Sequence, residues 1–438
     1  MKDDLDYNIN ETDEPILSEK EALKRKKITI ILSSIIGILT IIIIVGIVLY
    51  FTGKNDENNT NNNNNNHKEE EIIPQYTTFM SISTAENKLI RNSFIKGREN
   101  YNSEIEDIVG GKDYEETDRD NFDLCIPGTA AVNKNNYKTI VLMIHGGGWV
   151  GGEKADSLQL CKTYVNYGFI IATMSYTLLN GRYKEYNIFR IMDEITAVLK
   201  NIKKFLKEKG YDENKLEVII AGGSAGAHLS LLYSYMIKNP PIPIKFILDM
   251  VGPVTLEPEY WLTIKPGLEP LIDIEPDNIT EAIKENKLIH MNGNETGVNM
   301  NNIFIMKFMN AWLGKPLNDS FNEIFSDVDK KIINTENKIY KERMNKVKYG
   351  FPITYVTKES IPTLCVYGGK DEEIGNAQYA QLKKAFKEKN NEKNITLCYF
   401  RYGKHDAFFN ASESESNKFS KTLGDYTAKY LNSIKNKN

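Results

Sequence analysis

Serine becomes a nucleophile only when a base takes its proton, and one serine in this sequence stands where such an arrangement can be built. Val218 to Leu229 runs as a short β-branched strand, a glycine-pinched corner with Ser224 at its apex, and an apolar helix. Gly222, Ser224 and Gly226 make the pattern G-x-S-x-G. A corner this sharp needs small residues two positions either side of the serine, because Cβ atoms there would collide as the backbone doubles back. The corner presents the hydroxyl to solvent, and the helix start behind it supplies N–H groups and the positive end of a dipole.

The base must come from five histidines. His67 lies in a polar low-complexity stretch and His290 in a long insertion. His145 precedes a glycine run, and His228 sits one helical turn beyond Ser224, where it reads as a residue packed behind the corner. His405 follows an apolar strand, in Arg401-Tyr402-Gly403-Lys404-His405-Asp406. A loop at a strand's C-terminal end is where the crevice of an open α/β sheet lies, so His405 is the expected base. Asp371, directly after the preceding strand, is the expected acid that orients it. Asp249, at another strand end, is the alternative, and Glu372 and Glu373 read as solvated neighbours. The order is then Ser, Asp, His.

A serine attacking a carbonyl places negative charge on the carbonyl oxygen, which calls for preorganised donors. His145-Gly146-Gly147-Gly148-Trp149 ends an apolar strand, and its glycines let main-chain N–H groups approach without side chains in the way. With the N–H of Ala225 they would form an oxyanion hole. An ordinary histidine titrates near 6.5, so activity is expected to fall below about pH 6 to 7. No metal or cofactor is expected.

The elements that must position these residues follow from hydrophobic periodicity. Strand-like runs cover 121–127, 139–144, 168–176, 218–221, 246–251, 362–367 and 395–400. Helical spacing covers 188–206, where Ile188, Ile191, Ile195, Val198, Leu199, Ile202 and Leu206 share a face, and further helices are expected near 376–389 and 416–434. Fully apolar strands alternating with helices mean an α/β fold, a mainly parallel sheet covered on both faces. Residues 257–351 break the rhythm and carry Trp261, Met300, Phe304, Met306, Phe308, Met309 and Trp312, which suggests an inserted helical cap.

The glycine run at 145–149, the segment Gly222-Gly223-Ser224-Ala225-Gly226-Ala227-His228, Asp371 and His405 together resemble the α/β-hydrolase esterases of the hormone-sensitive-lipase-like and carboxylesterase-like groups. The nucleophile segment is also similar to kynurenine formamidases and prenylcysteine methylesterases. The resemblance spans about residue 110 to the C-terminus. It implies the α/β-hydrolase fold, Ser224 as nucleophile, His405 as base, Asp371 as its partner, and Gly147, Gly148 and Ala225 as oxyanion donors, with His145, Gly146, Gly222 and Gly226 supporting the motif. Many hormone-sensitive-lipase-like members carry Asp before the nucleophile, where this chain has Gly223.

Residues 1–27 form a polar tail ending in Lys20, Lys24, Arg25, Lys26 and Lys27, and 28–51 is an uncharged, isoleucine-rich run. As a helix it would span about 36 Å, enough for a bilayer. A cleaved signal peptide and a buried core helix are the rival readings. The excess of basic residues on its N-terminal side puts the tail in the cytoplasm and the rest outside or in a lumen, as a single-pass type II protein. Residues 52–71 hold an asparagine tract that reads as a flexible tether, leaving 72–438 for the α/β-hydrolase domain. Sequons stand at Asn278, Asn294, Asn318, Asn394 and Asn410. The net charge of −4 argues against a nucleic-acid partner, and Cys125, Cys161, Cys365 and Cys398 form no metal-like cluster and read as buried thiols, with a bridge between Cys365 and Cys398 the alternative.

The expected activity is hydrolysis of a small or lipid-like carboxylic ester through an acyl-enzyme. An amidase or formamidase of the same fold, or a catalytically inactive adhesion or scaffold module, are the alternatives.

Overall fold

The computed structural model describes residues 78–80, 101–109, 119, 121–126, 139–157, 169–181, 183–264, 281–282, 284–285, 287–290 and 299–405. The chain opens with β1 (Thr78–Met80), the short helix α1 (Ser103–Val109) and β2 (Phe122–Ile126). Strands and helices then alternate: β3 (Thr139–Ile144), β4 (Ile170–Met174), α2 (Ile188–Glu208), β5 (Glu217–Gly223), α3 (Ala225–Met236) and β6 (Ile244–Met250). After these come β7 (Leu262–Ile264), β8 (Leu288–His290), α4 (Met300–Trp312), β9 (Phe325–Asp327), β10 (Ile332–Ile333) and α5 (Lys338–Val347). β11 (Thr363–Gly368), α6 (Ala377–Glu388) and β12 (Ile395–Phe400) return to the alternating pattern.

The main sheet has the order β1-β2-β4-β3-β5-β6-β11-β12. β1 and β2 are antiparallel to their neighbours, and from β4 to β12 every pairing is parallel. Parallel strands joined by helices must be covered on both faces, and β2, β3, β4 and β11 are buried end to end. Each fully buried Ile, Leu or Val in them contributes about 1.5–3 kcal/mol. α2 starts where the Asn187 side chain accepts from the N–H groups of Phe189 and Arg190, as an N-cap should. α3 lies against β3, β5 and β6 and is buried along nearly its whole length.

The chain runs outward from β3 to β4 and then crosses back to place β5 on the other side of β3. That reversal is a topological switch point, and the crevice it opens lies at the strands' C-terminal ends. β3 ends at Ile144, β5 at Gly223, β6 at Met250, β11 at Gly368 and β12 at Phe400, all on that one edge.

The insertion between β6 and β11 differs from the helical cap read from sequence. Its described part is mixed, with α4 and α5 accompanied by two antiparallel strand pairs, β7 with β8 and β9 with β10. Cys125, Cys365 and Cys398 are buried free thiols. Cys365 pairs with Leu397 and Cys398 with Val366, so strand alternation sends the two sulfurs to opposite faces of the sheet. Among the described residues, no helix is long and apolar enough to cross a membrane. The tail, the apolar run at 28–51, the tether, Cys161, and the helix expected at 416–434 lie outside the described residues.

Candidate active site

Ser224 stands between β5 and α3 with φ 54° and ψ −121°. A non-glycine residue in this region costs about 1–3 kcal/mol and persists only where its surroundings enforce it. Here they do. The Ser224 N–H donates to the Met250 carbonyl of β6 at 2.8 Å, and the His228 N–H donates back to the Ser224 carbonyl at 3.0 Å. Gly226 faces the end of β3 so closely that a Cβ would run into the Ile144 carbonyl. The serine is half-buried, at the C-terminal end of β5.

Asp371 and His405 come together at the ends of β11 and β12. His405 Nδ1 lies 3.0 Å from Asp371 Oδ2 and 3.1 Å from Oδ1. Asp371 is fully buried, and its Oδ1 also accepts from the N–H groups of Glu373 at 2.8 Å and Ile374 at 2.9 Å. The two loops are zipped by backbone bonds, Gly369 N–H to Phe400 O at 2.8 Å and Lys370 N–H to Gly403 O at 2.7 Å. With Nδ1–H donated to Asp371, the tautomer leaves Nε2 as the proton acceptor, which is the state a general base needs. Asp249 takes other partners: Oδ1 accepts from Gly252 N–H at 2.8 Å and Oδ2 from the Tyr367 hydroxyl at 3.3 Å. Burial pushes its carboxyl up to about 7. Glu373, read from sequence as merely solvated, brings Oε2 to 3.4 Å from His405 Nε2. Glu372 is exposed.

The glycine run wraps against the corner. A Cβ on Gly146 would lie 2.9 Å from the Gly223 carbonyl. Gly147, Gly148 and Trp149 are all left-handed, at φ 103°, 58° and 62°. The Gly147 carbonyl accepts from Val150 N–H at 3.1 Å and Gly151 N–H at 3.0 Å, closing a tight turn, while the Trp149 carbonyl accepts from Leu179 N–H at 2.8 Å. Ala225 opens α3, so its N–H has no carbonyl one turn behind it.

His145 is buried below this turn, stacked 4.0 Å from the Tyr176 ring, with Nδ1 on the Gly146 carbonyl at 2.8 Å. Burial, with the Arg119 guanidinium beside it, pulls its pKa down to about 4, so it is neutral and structural at physiological pH. Arg119 escaped sequence reading. Its Nε donates to the Tyr176 carbonyl at 2.7 Å and its Nη2 to the Gly152 carbonyl, joining the exit of β4 to the end of the glycine turn. Nothing in the surrounding acidic, patternless stretch singles it out.

From the insertion, α4 lowers an aromatic face onto this turn. The Phe308 ring edge lies where a Cβ on Gly148 would approach it at 3.5 Å. Its ring stands edge-on to Trp149 at 4.9 Å, tilted to Trp261 at 5.9 Å, and stacked with Phe304 at 6.0 Å. An open groove of about 620 Å³ runs along the same helix, lined by Ile303, Lys307, Asn318, Phe321 and Glu323 among others. None of its lining residues belongs to the triad or to the glycine turn.

The BD-FAE family model, that of an α/β-hydrolase esterase family, matches residues 123–258. The match takes in the glycine turn and the Ser224 corner, under half of the chain, and ends before Asp371 and His405. Over those residues the chain is similar to an α/β-hydrolase esterase family, which supports a carboxylic ester hydrolase. No curated protein matches the chain. Among solved structures it is similar to a truncated carbohydrate esterase from gut microbiota, at 14% identity over 73% of this chain and 93% of that one, with a TM-score of 0.44. It is similar to esterase B from Lactobacillus rhamnosis, at 14% identity over 73% and 83%, with a TM-score of 0.41. It is likewise similar to Thermogutta terrifontis esterase 2 phosphonylated by sarin, at 13% identity over 72% and 93%, with a TM-score of 0.43.

Proposed function

We propose that this esterase works through Ser224 as nucleophile, His405 as general base and Asp371 as the acid that orients it. The observation that carries this reading is the pairing of His405 Nδ1 with both oxygens of the buried Asp371, at strand ends on the same edge as the Ser224 corner. Ser224 attacks the ester carbonyl while His405 Nε2 takes its proton. The N–H groups of Gly147, Gly148 and Ala225 receive the oxyanion. His405 then returns the proton to the leaving alcohol, an acyl-enzyme remains, and water activated by the same histidine releases the acid.

The substrate is a small ester with a short or medium acyl group, since Phe308 crowds the space above Gly148. Residues 257–351 act as the cap that bounds this space. Residues 28–51 anchor the chain in a membrane with the N-terminus cytoplasmic, a reading supported by the length of the uncharged run and the basic cluster before it. In that topology Asn318, which is exposed, is open to glycosylation, whereas the Asn394 side-chain nitrogen is engaged by Asn391 and Ser360.

Labelling with a fluorophosphonate tests the nucleophile: the wild type reacts covalently and Ser224→Ala does not. Labelling that persists in Ser224→Ala would remove Ser224 from the mechanism. Parallel assays on nitrophenyl esters and N-formyl amides separate the esterase from a formamidase, with ester turnover expected to dominate.

A further inference from the structure

We propose that His228 is a positioning residue of the oxyanion hole, holding the Gly147–Gly148–Trp149 turn through the indole of Trp149 and tying that turn to the insertion. The inference rests on the esterase reading above, because it concerns how that site keeps its donors aimed.

His228 is fully buried, one turn behind Ser224 on α3, and no step of the chemistry uses it. Both of its ring nitrogens are engaged. The Trp149 indole N–H donates to Nδ1 at 3.2 Å, and Nε2 lies 2.8 Å from the Gly350 carbonyl. Since Nδ1 accepts, the proton resides on Nε2 and is donated to Gly350. A buried imidazole with one acceptor and one donor satisfied is neutral, and it forms a directional strut between two elements that no apolar side chain could replace. The rings around it are as specific: His228 stacks on Trp312 of α4 at 4.5 Å and meets Trp149 edge-on at 5.1 Å.

Trp149 is where this strut matters. It is the third left-handed residue in succession, and a bulky side chain does not favour that conformation unaided. The turn's carbonyls are held from one side by Val150, Gly151 and Leu179. The indole is held from the other side by His228, Trp312 and Phe308. A donor aimed at a developing oxyanion acts through its orientation, so rotation of the turn would swing the Gly147 and Gly148 N–H groups off target. Because His228 rides on the helix that carries Ser224, the strut also fixes the distance between the nucleophile and the hole. Through Gly350 and Trp312 the same ring reports the position of the insertion.

The experiment compares wild type, His228→Leu, His228→Gln and Trp149→Phe as full chains in detergent on a short-chain nitrophenyl ester. His228→Leu is expected to lower kcat about 10- to 100-fold, below the roughly 100- to 1,000-fold loss seen when an oxyanion donor is removed outright. KM should stay within about threefold, and acylation and deacylation should slow by similar factors, because both pass through an oxyanion in the same hole. His228→Gln, whose amide can accept from the indole and donate to Gly350, should recover most of kcat. If His228→Leu does not fold, Trp149→Phe carries the test: it keeps an aromatic ring but removes the indole donor and part of the ring's bulk, and should lose kcat in the same pattern. A folded His228→Leu with unchanged kcat, or a rise in KM at constant kcat, overturns the inference alone. A wild type that neither hydrolyses esters nor labels at Ser224 would sink the esterase reading and this inference with it.

Discussion

The two nitrogens of His405 face carboxylates in different surroundings. Asp371 is fully buried and takes two backbone N–H groups besides Nδ1, so it is fixed. The Glu373 side chain is 68% exposed and reaches Nε2 at 3.4 Å, the nitrogen that receives the serine proton in the proposed mechanism. A neutral imidazole offers that carboxylate no proton from Nε2, whereas the imidazolium formed during attack does. Glu373 is therefore placed to accept from Nε2 once the ring is protonated, a weak contact because water and salt screen so exposed a pair. Removing it in Glu373→Gln should move the acid limb of the kcat/KM profile to lower pH, and high salt should move the wild type the same way. Superimposable profiles at low salt would show that the contact has no kinetic consequence. Sequence alone placed His405 and Asp371 at neighbouring strand ends, because each follows an apolar strand and a glycine. It did not place Glu373 beside the ring, since side-chain direction within the Asp371 loop is set by backbone bonds to 403 and 400 that no local pattern announces. Arg119 was hidden for a similar reason: its shortest bonds go to carbonyls, which every residue has.

At the scale of elements, α4 decides what can approach the glycine turn. In the proposed mechanism the leaving oxygen faces His405 at the β12 side of the corner, which would send the acyl arm away from it, toward β3 and the Phe308 ring above Gly148. Phe308→Ala opens that direction. Hexanoyl and octanoyl esters should gain relative to acetyl esters by about 10-fold or more in kcat/KM, the range expected for one methylene-scale change repeated along a chain. Fluorophosphonate labelling of Ser224 should remain. An unchanged chain-length preference would move the acyl arm elsewhere. The parallel strands were legible because buried β-branched runs such as Thr139–Ile144 are long and unbroken. The insertion was legible only as a departure from that rhythm. Its strand pairs are two or three residues long, too short for any period to register, and its helices carry aromatic residues on faces that meet the main domain instead of solvent.

Among the described residues, His145, His228 and Asp249 are buried groups shifted across the acid range, and their stability effects oppose one another. Burial pulls His145 down to about 4 and His228 down to about 3, while it pushes Asp249 up to about 7. For the histidines, the unfolded chain binds protons below about pH 6.5 that the folded chain refuses. Each therefore subtracts about 1.4 kcal/mol of stability per pH unit on the way down, ending near the folded pKa. For Asp249 the folded state keeps a proton that the unfolded carboxyl has lost, so stability falls as pH rises from about 4 to about 7. Two terms oppose one across the acid range, so these three groups together lose stability as pH falls below about 6.5, and only the Asp249 term acts just above it. Variants isolate the parts. In urea unfolding, the advantage of wild type over His228→Gln should shrink steadily as pH falls from about 6.5 to about 4.5. The advantage of wild type over Asp249→Asn should instead shrink as pH rises toward about 7. Parallel stability curves for wild type and His228→Gln would mean that His228 takes up its proton below about pH 6.5 as readily in the folded protein as in the unfolded chain. That result would also break the neutral strut between Trp149 and Gly350, because a doubly protonated ring has no acceptor for the indole.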